Sequence, residues 1–167
     1  MPLGISQCFD PFVIAERGRT YRGVIALGEL DRLAGCIFSD HGEVGYELTF
    51  SKEGSVFVVF GQVKADLILE CQVCLEAVVL PVSIDTRLGI VGSLDEVGGL
   101  SDAYEPLLVT DRKIALKEIL EEELLLEVPI IARHDGCRIA GGPRPEQVQE
   151  KDNPFSILAE LKPQGDQ

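Results

Sequence analysis

The order of the predicted elements constrains the fold of this chain more than any other feature. Strand-like segments follow one another from residue 10 to residue 91, and the clearest helical pattern, residues 111–129, comes only after them. A run of strands followed by a helix is typical of antiparallel sheets rather than alternating β-α-β units. We therefore expect an α+β fold: an antiparallel β-sheet with one main amphipathic helix and short flanking helices. Closure of the sheet into a barrel-like form stays open as an alternative.

The strand-like part of the chain contains several distinct patterns. Residues 10–27 are interpreted as two short strands around Gly18, and Lys52-Glu53-Gly54 as a hairpin turn. Residues 63–71 alternate strictly between apolar and polar side chains, which predicts a strand with one buried face. Residues 92–106 are acidic and Gly-rich, so a mobile loop is expected there.

The helical pattern has a start signal and a stop signal. Asp111 is a plausible N-cap and Pro129 ends the element. Its apolar stripe is formed by Leu116, Ile119, Leu120 and Leu124. Glu118, Glu121 and Glu122 are predicted to lie mainly away from that stripe, on the solvent side.

The chain is expected to form one domain with a tail. Residues 1–142 are assigned to a single α+β domain, and 167 residues with 46% apolar content are enough for a substantial core. Residues 143–167 are interpreted as an extended tail that ends in a short helix, with Asn153 as its cap. The hydropathy pattern predicts neither a membrane span nor a secretory signal, and the number of cysteines is odd. We therefore expect a cytoplasmic protein with reduced thiols.

Charge is distributed unevenly along the chain. The net charge is −13, and residues 93–128 contain ten acidic and three basic residues, a net −7. Overall attraction to nucleic acid is therefore not expected, and a basic protein partner suits Glu118, Glu121 and Glu122 better. A purely solubilising acidic face is the simpler alternative. The one basic concentration is Arg17, Arg19 and Arg22, which could contact RNA phosphate or lie at a solvated hairpin tip.

Two pairs of residues have spacings suited to metal ligation. Cys71 and Cys74 form a C-x-x-C between two predicted strands, and His134 and Cys137 follow about sixty residues later. If the pairs meet, three thiolates and one imidazole would make a closed structural zinc site. A ligand-free pair and a redox pair are the alternatives. The redox alternative is disfavoured because redox C-x-x-C motifs usually lie at the start of a helix. The zinc site is disfavoured by Leu75, which stands where a Gly would help the turn fold around a thiolate.

No pattern in the chain indicates a catalytic site or a small-molecule substrate. Glu121, Glu122 and Glu123 are consecutive, so they fan around a helix instead of converging on a pocket. A phosphate-binding Gly-rich loop, a nucleophile elbow and an H-E-x-x-H motif are all missing from the sequence. We therefore expect a protein that acts by binding and contains no catalytic residues.

Several segments together resemble the YceD family, the large ribosomal RNA subunit accumulation proteins of bacteria, and its proteobacterial branch most closely. They are "RGVIALGELDRLAG", "LECQVCLE", "AYEPLLV", "IALKEILEEELLLEVPIIARHDGC" and "KDNPFSILAELK". The resemblance implies a cytoplasmic, non-enzymatic factor for the synthesis, processing or accumulation of large-subunit ribosomal RNA. Combined with the acidic helix, this leads us to expect that the chain binds a basic ribosomal protein or a pre-ribosomal particle.

The resemblance also bears on the metal site and on the alternative function. The family's C-x-x-C corresponds to Cys71 and Cys74. Many members outside the proteobacteria have further cysteines after the central helix, which would complete a four-thiolate site. This chain has His134 and Cys137 there instead. The alternative function is a Mg²⁺-dependent nuclease or modification enzyme that acts on precursor ribosomal RNA, with carboxylates as metal ligands.

Overall fold

The structure, a computed structural model, describes residues 4–138. In chain order the elements are α1 (Pro11–Glu16), β1 (Thr20–Ala26), a 3₁₀ turn (Leu27–Glu29), α2 (Asp31–Ala34), β2 (Glu43–Glu53), β3 (Val56–Glu70), β4 (Ala77–Val91), α3 (Leu94–Val97), β5 (Glu105–Leu108) and α4 (Leu116–Glu127). The predicted α+β class is confirmed. The predicted domain boundary at residue 142 and the helix expected after Asn153 lie outside the described residues.

The strands form one five-stranded sheet in the order β1-β2-β3-β4-β5. Neighbouring strands from β1 to β4 are antiparallel, as expected, but β5 pairs with β4 in parallel, with Leu88 opposite Glu105. The sheet is therefore mixed, and it is open: within residues 4–138 the outer strands β1 and β5 do not pair with each other. The barrel-like alternative is not realised. A parallel pair at the end of the sheet requires a crossover, and residues 92–104 provide it.

The long hairpin of β3 and β4 is the centre of the fold. Val63, Ala65, Leu67 and Leu69 are all buried, which confirms the alternation read from the sequence. They face α4, whose stripe of Leu116, Ile119, Leu120 and Leu124 is also buried. Burial of a Leu or Ile side chain contributes about 1.5–3 kcal/mol, so this layer supplies much of the driving force for folding. Because β3 ends at Glu70 and β4 begins at Ala77, the hairpin presents its turn at one end of the sheet.

The first predicted strand is a helix, so that interpretation of residues 10–17 was wrong. The Asp10 carboxylate accepts hydrogen bonds from the backbone N–H groups of Phe12 and Val13, and Pro11 occupies the first helical position. Together these residues form a strong N-terminal signal. Ala15 is buried against the core, and Gly18, with φ of 59°, turns the chain into β1.

The main helix begins later than its pattern indicates. Its N-cap is Ala115, not Asp111, because the preceding residues extend and Ile114 forms a β-bridge with Phe9. The Glu118 carboxylate accepts a hydrogen bond of 3.1 Å from the Ala115 N–H and so caps the first turn. At its other end the helix stops at Glu127, two residues before Pro129, as predicted.

The segment predicted as a loop, residues 92–106, has more structure than expected. It contains α3 and the start of β5. Leu100 packs over Gly89, where a Cβ would collide with the leucine side chain, and the Tyr104 hydroxyl donates a hydrogen bond of 2.5 Å to Glu53. Its mobility stays a prediction. None of the described helices is long and apolar enough to cross a membrane.

Candidate metal centre

The β3–β4 turn provides the first two side chains of the candidate centre. Cys71 follows the last residue of β3, and the turn is closed by hydrogen bonds from Leu75 N to Cys71 O (2.8 Å) and from Cys71 N to Glu76 O (2.9 Å). Leu75 adopts φ of 62°, a left-handed conformation that costs a non-glycine residue about 1–2 kcal/mol. The backbone thus wraps around the Cys71 sulfur even though the favourable Gly is missing.

The second pair of side chains lies on residues 132–137, which we call the C-terminal arm. Its turn uses Gly136 at φ of 71°, and Cys137 N donates to His134 O at 3.2 Å. The arm is joined to the β3–β4 turn by a hydrogen bond of 2.9 Å from Gln72 N to Ala132 O. Since α4 runs back along the hairpin before the arm begins, the fold brings together two pairs that are sixty residues apart.

The four side chains converge on one centre. One ligand atom from each of Cys71, Cys74, His134 and Cys137 lies within 4.8 Å of all the others. The Cys71 and Cys137 sulfurs are 3.8 Å apart, and the Cys74 sulfur is 3.5 Å from His134 Nδ1. With Zn–S of about 2.3 Å and Zn–N of about 2.05 Å, a tetrahedral site has edges of about 3.8 Å and about 3.5 Å. The geometry of this Cys₃His cluster therefore fits a tetrahedral metal ion.

The imidazole of His134 is oriented for ligation. Its Nε2 lies 3.0 Å from the carbonyl oxygen of Ala77, which can only accept, so Nε2 carries the proton. In the neutral ring this leaves the lone pair of Nδ1 directed at the Cys74 sulfur and the centre. A backbone acceptor that fixes the tautomer of a ligating histidine is a common feature of metal sites.

The thiols of Cys71 and Cys137 have pKa values shifted in opposite directions. Backbone N–H groups, above all that of Cys74, lower the pKa of the Cys71 thiol to about 5. Burial, together with the neighbouring sulfurs, raises the pKa of Cys137 to about 11. The hydrogen bond to Cys71 raises the pKa of His134. Sulfurs this close cannot all be thiolates without a cation between them, and a divalent ion would remove that conflict.

The cluster has the ligand composition of a closed metal site. All four positions of a tetrahedron are taken by protein atoms, whereas catalytic zinc keeps one position open. Cys71 is fully buried, and all five cysteines are free thiols. As predicted, the C-x-x-C lies at a turn between strands and not at the start of a helix.

The predicted acidic residues on α4 have different environments. Glu118 and Glu122 are exposed, and Glu122 forms an ion pair of 2.8 Å with Arg32. Glu121 is only 2% exposed, and its carboxylate accepts a hydrogen bond from Arg32 N in α2. The expectation that Glu121 lies on the solvent side was therefore wrong. Its carboxylate connects α4 to α2.

The predicted basic residues do not share a hairpin. Arg17 caps the end of α1, Arg19 precedes β1, and Arg22 lies on β1, where it forms an ion pair of 2.8 Å with Glu47. All three side chains are exposed. The shared face expected for Arg17 and Arg19 depended on a strand that is a helix, so that interpretation was wrong.

One chemically notable residue was missed. Glu123 is only 7% exposed, and its carboxylate accepts a hydrogen bond of 2.7 Å from the Thr86 hydroxyl on β4. Burial raises its pKa, and the nearby carboxylates of Glu105, Glu122 and Glu127 add to the effect. The signal was present in the sequence, because position 123 is seven residues after Leu116 and falls within the apolar stripe.

Comparisons with known proteins point in one direction. A family model described as "Large ribosomal RNA subunit accumulation protein YceD" matches residues 59–162, which include α4 and all four residues of the Cys₃His cluster. A protein of Haemophilus influenzae with the same description is 31% identical over 162 residues, covering 92% of this chain and 93% of that protein. No solved structure matches the chain significantly.

Proposed function

The chain belongs to the YceD family of large ribosomal RNA subunit accumulation proteins, and from this premise we propose that it supports the accumulation of large-subunit ribosomal RNA. It does so in the cytoplasm, by binding a component of the assembling large subunit and not by catalysing a reaction. The observation that carries the proposal is the similarity to the Haemophilus influenzae protein, which extends over nearly the full length of both chains.

The Cys₃His cluster supports a structural role for a metal, and we assign Zn²⁺ to it. Three sulfurs and one imidazole nitrogen are the ligands that zinc prefers, and their separations match a tetrahedral site. The ion would fasten the C-terminal arm to the β3–β4 turn. Elemental analysis of protein purified without chelator tests this: we expect one zinc per chain, and absence of zinc from folded protein would refute the assignment.

The partner we propose is a basic ribosomal protein or the precursor particle that contains it. Support comes from the net charge of −7 over residues 93–128 and from the exposed carboxylates of Glu118 and Glu122. Acidic surfaces attract Lys/Arg-rich proteins over distances that salt shortens. Pull-down on the immobilised chain should therefore enrich large-subunit proteins at low salt and lose them at high salt. No enrichment at low salt would contradict the proposal.

The enzymatic alternative requires carboxylates that converge on a pocket. Among residues 4–138, Glu105, Glu122 and Glu123 come closest to such an arrangement, around a cavity of about 250 Å³. The lining of this cavity contains no lysine or histidine. Incubation of the purified protein with precursor ribosomal RNA and Mg²⁺ decides between the two. If the wild-type protein shortens the RNA and the Glu123→Gln variant does not, the enzymatic function would replace the binding proposal.

A further inference from the structure

A groove runs between α4 and β5, and we call it the α4–β5 groove. Its inner part is the cavity of about 250 Å³ already described, which is lined by the apolar side chains of Leu107, Ile119 and Leu126 and by the carboxylates of Glu105, Glu122 and Glu123. It adjoins a wider hollow of about 720 Å³ through Pro106, Leu107 and Glu122. Leu126 is 69% exposed although it lies on the main helix. The groove therefore combines exposed apolar surface with carboxylates.

The outer edge of the sheet limits how an occupant can bind in this groove. β5 is the last strand of the sheet, and Val109 N donates to Val91 O, so the odd-numbered N–H groups of this segment face β4. The even-numbered groups face outward, and Pro106 among them has no N–H. A sixth strand added next to β5 could therefore form only a short ladder of backbone hydrogen bonds. Recognition in this groove must therefore come from side chains.

The carboxylates of the groove are poorly compensated by positive charge. Glu122 is paired with Arg32, but Glu105 forms no ion pair within residues 4–138, and neither does Glu127, which lies near Glu123 outside the groove lining. Glu123 accepts a hydrogen bond from neutral Thr86 and lies close to both of them. A cationic side chain in the groove would meet several carboxylates in a partly desolvated site, where each interaction is stronger than at an open surface.

We propose that the α4–β5 groove receives a Lys/Arg-rich segment of the protein partner, with one long basic side chain inserted into the inner cavity. The aliphatic stem packs on Leu107, Ile119 and Leu126, and the charged head contacts the carboxylates that line the groove. The cavity is smaller than the roughly 300–1,000 Å³ of drug-sized ligand sites and suits a single side chain. This inference rests on the proposed function, in which the partner is basic.

Two double variants with the same change of charge test the groove. Glu105→Lys with Leu126→Lys places two cations at the groove. Glu43→Lys with Val24→Lys makes the same replacements on the opposite face of the sheet, at two exposed positions next to buried ones. Each variant is immobilised as the full chain and incubated at low salt with total protein extracted from purified large ribosomal subunits. Circular dichroism and thermal unfolding establish that both variants are folded.

Zero-length carbodiimide crosslinking of the wild-type complex locates the contact, because it joins a carboxylate to a lysine that touches it. We expect the groove variant to retain at least about tenfold less ribosomal protein than the wild type, since like charges now oppose the partner. The control variant should stay within about twofold, because its change lies on the opposite face of the sheet from the groove. Crosslinks should map to Glu105 or Glu122, the exposed carboxylates that line the groove.

Each of the other outcomes contradicts the proposal that the α4–β5 groove receives a basic segment of the partner. Equal losses in both variants, or crosslinks confined to other carboxylates, would mean diffuse charge attraction and would leave the proposed function standing. Crosslinks from groove carboxylates to Lys151 or Lys162 of the same chain would mean that its own C-terminal segment occupies the groove. If the wild-type chain retains no ribosomal protein, the proposed function fails together with the groove.

Discussion

Replacement of Cys74 by serine tests whether a metal ion joins the two ends of the fold. Cys74 is exposed, so its substitution removes a ligand and almost no packing. The link between Cys74 and His134 closes a loop of 60 residues. A crosslink that closes a loop of this size restricts the unfolded chain by about 4 kcal/mol. This value is an upper limit, because the hydrogen bond from Gln72 to Ala132 already holds the arm and three ligands remain.

We therefore expect Cys74→Ser to lower the free energy of unfolding of zinc-loaded protein by about 2–4 kcal/mol. Urea unfolding with equimolar zinc, followed by circular dichroism, measures this directly. Cys36→Ser is the matched control: Cys36 is also an exposed free thiol, it lies outside the cluster, and its change should stay within about 0.5 kcal/mol. In the presence of a chelator, wild type and Cys74→Ser should unfold at nearly the same urea concentration.

Equal stability of Cys74→Ser and Cys36→Ser in the presence of zinc would refute the reasoning. So would wild-type protein whose unfolding does not respond to a chelator. Either result would mean that the four side chains converge without binding an ion, and that the C-terminal arm is held by its backbone hydrogen bonds alone.

Three further predictions test the packing and the electrostatics of the fold. Burial raises the pKa of Glu123, so the folded protein holds this proton more tightly than the unfolded chain does. Binding of the proton therefore contributes its full stabilisation below the ordinary carboxyl pKa. This contribution is lost as pH rises through the raised pKa. Glu123→Gln should therefore raise the free energy of unfolding by about 1 kcal/mol at pH 8 and by less at pH 4, and a pH-independent difference would contradict this. Leu75 has φ of 62°, so Leu75→Gly should be at least about 1 kcal/mol more stable than Leu75→Val in thermal unfolding, and equal stabilities would argue against the left-handed turn. A Cβ on Gly61 would collide with the Glu47 carbonyl in β2, so Gly61→Ala should lower the free energy of unfolding by about 3 kcal/mol. A Cβ on Gly45 would meet nothing within 4 Å, so the control Gly45→Ala should change it by less than about 1 kcal/mol. Similar costs for the two alanine variants would place the β2–β3 register in doubt.

The parts of the fold predicted correctly are those in which local periodicity and burial agree. Val63, Ala65, Leu67 and Leu69 alternate with polar residues, and an alternating strand has only one face to bury. The stripe of α4 obeys the same rule with helical spacing. In both cases the pattern spans enough residues to override the preferences of single positions.

The errors occurred where a short segment depends on tertiary contacts. α1 has only six residues, too few for a helical period, and only the capping by Asp10 and Pro11 indicated it. The start of α4 was misplaced because the bridge between Ile114 and Phe9 keeps the preceding residues extended. Such a contact joins positions more than a hundred residues apart and leaves no local signal.

The candidate site was predictable in its ligands but not in its geometry. The spacings of Cys71 with Cys74 and of His134 with Cys137 indicated two half-sites. Their convergence depends on how α4 returns the chain along the hairpin, which is a property of the whole fold. Leu75 argued against a thiolate turn, yet the hydrogen bonds that close the turn hold it in the left-handed conformation.

The most direct test of the account is the ratio of large-subunit to small-subunit ribosomal RNA in cells depleted of this protein. We predict that the ratio falls on depletion, that the wild-type chain restores it, and that the variant with Glu105→Lys and Leu126→Lys restores it less well than the variant with Glu43→Lys and Val24→Lys. A ratio that does not change on depletion would contradict the proposed function itself.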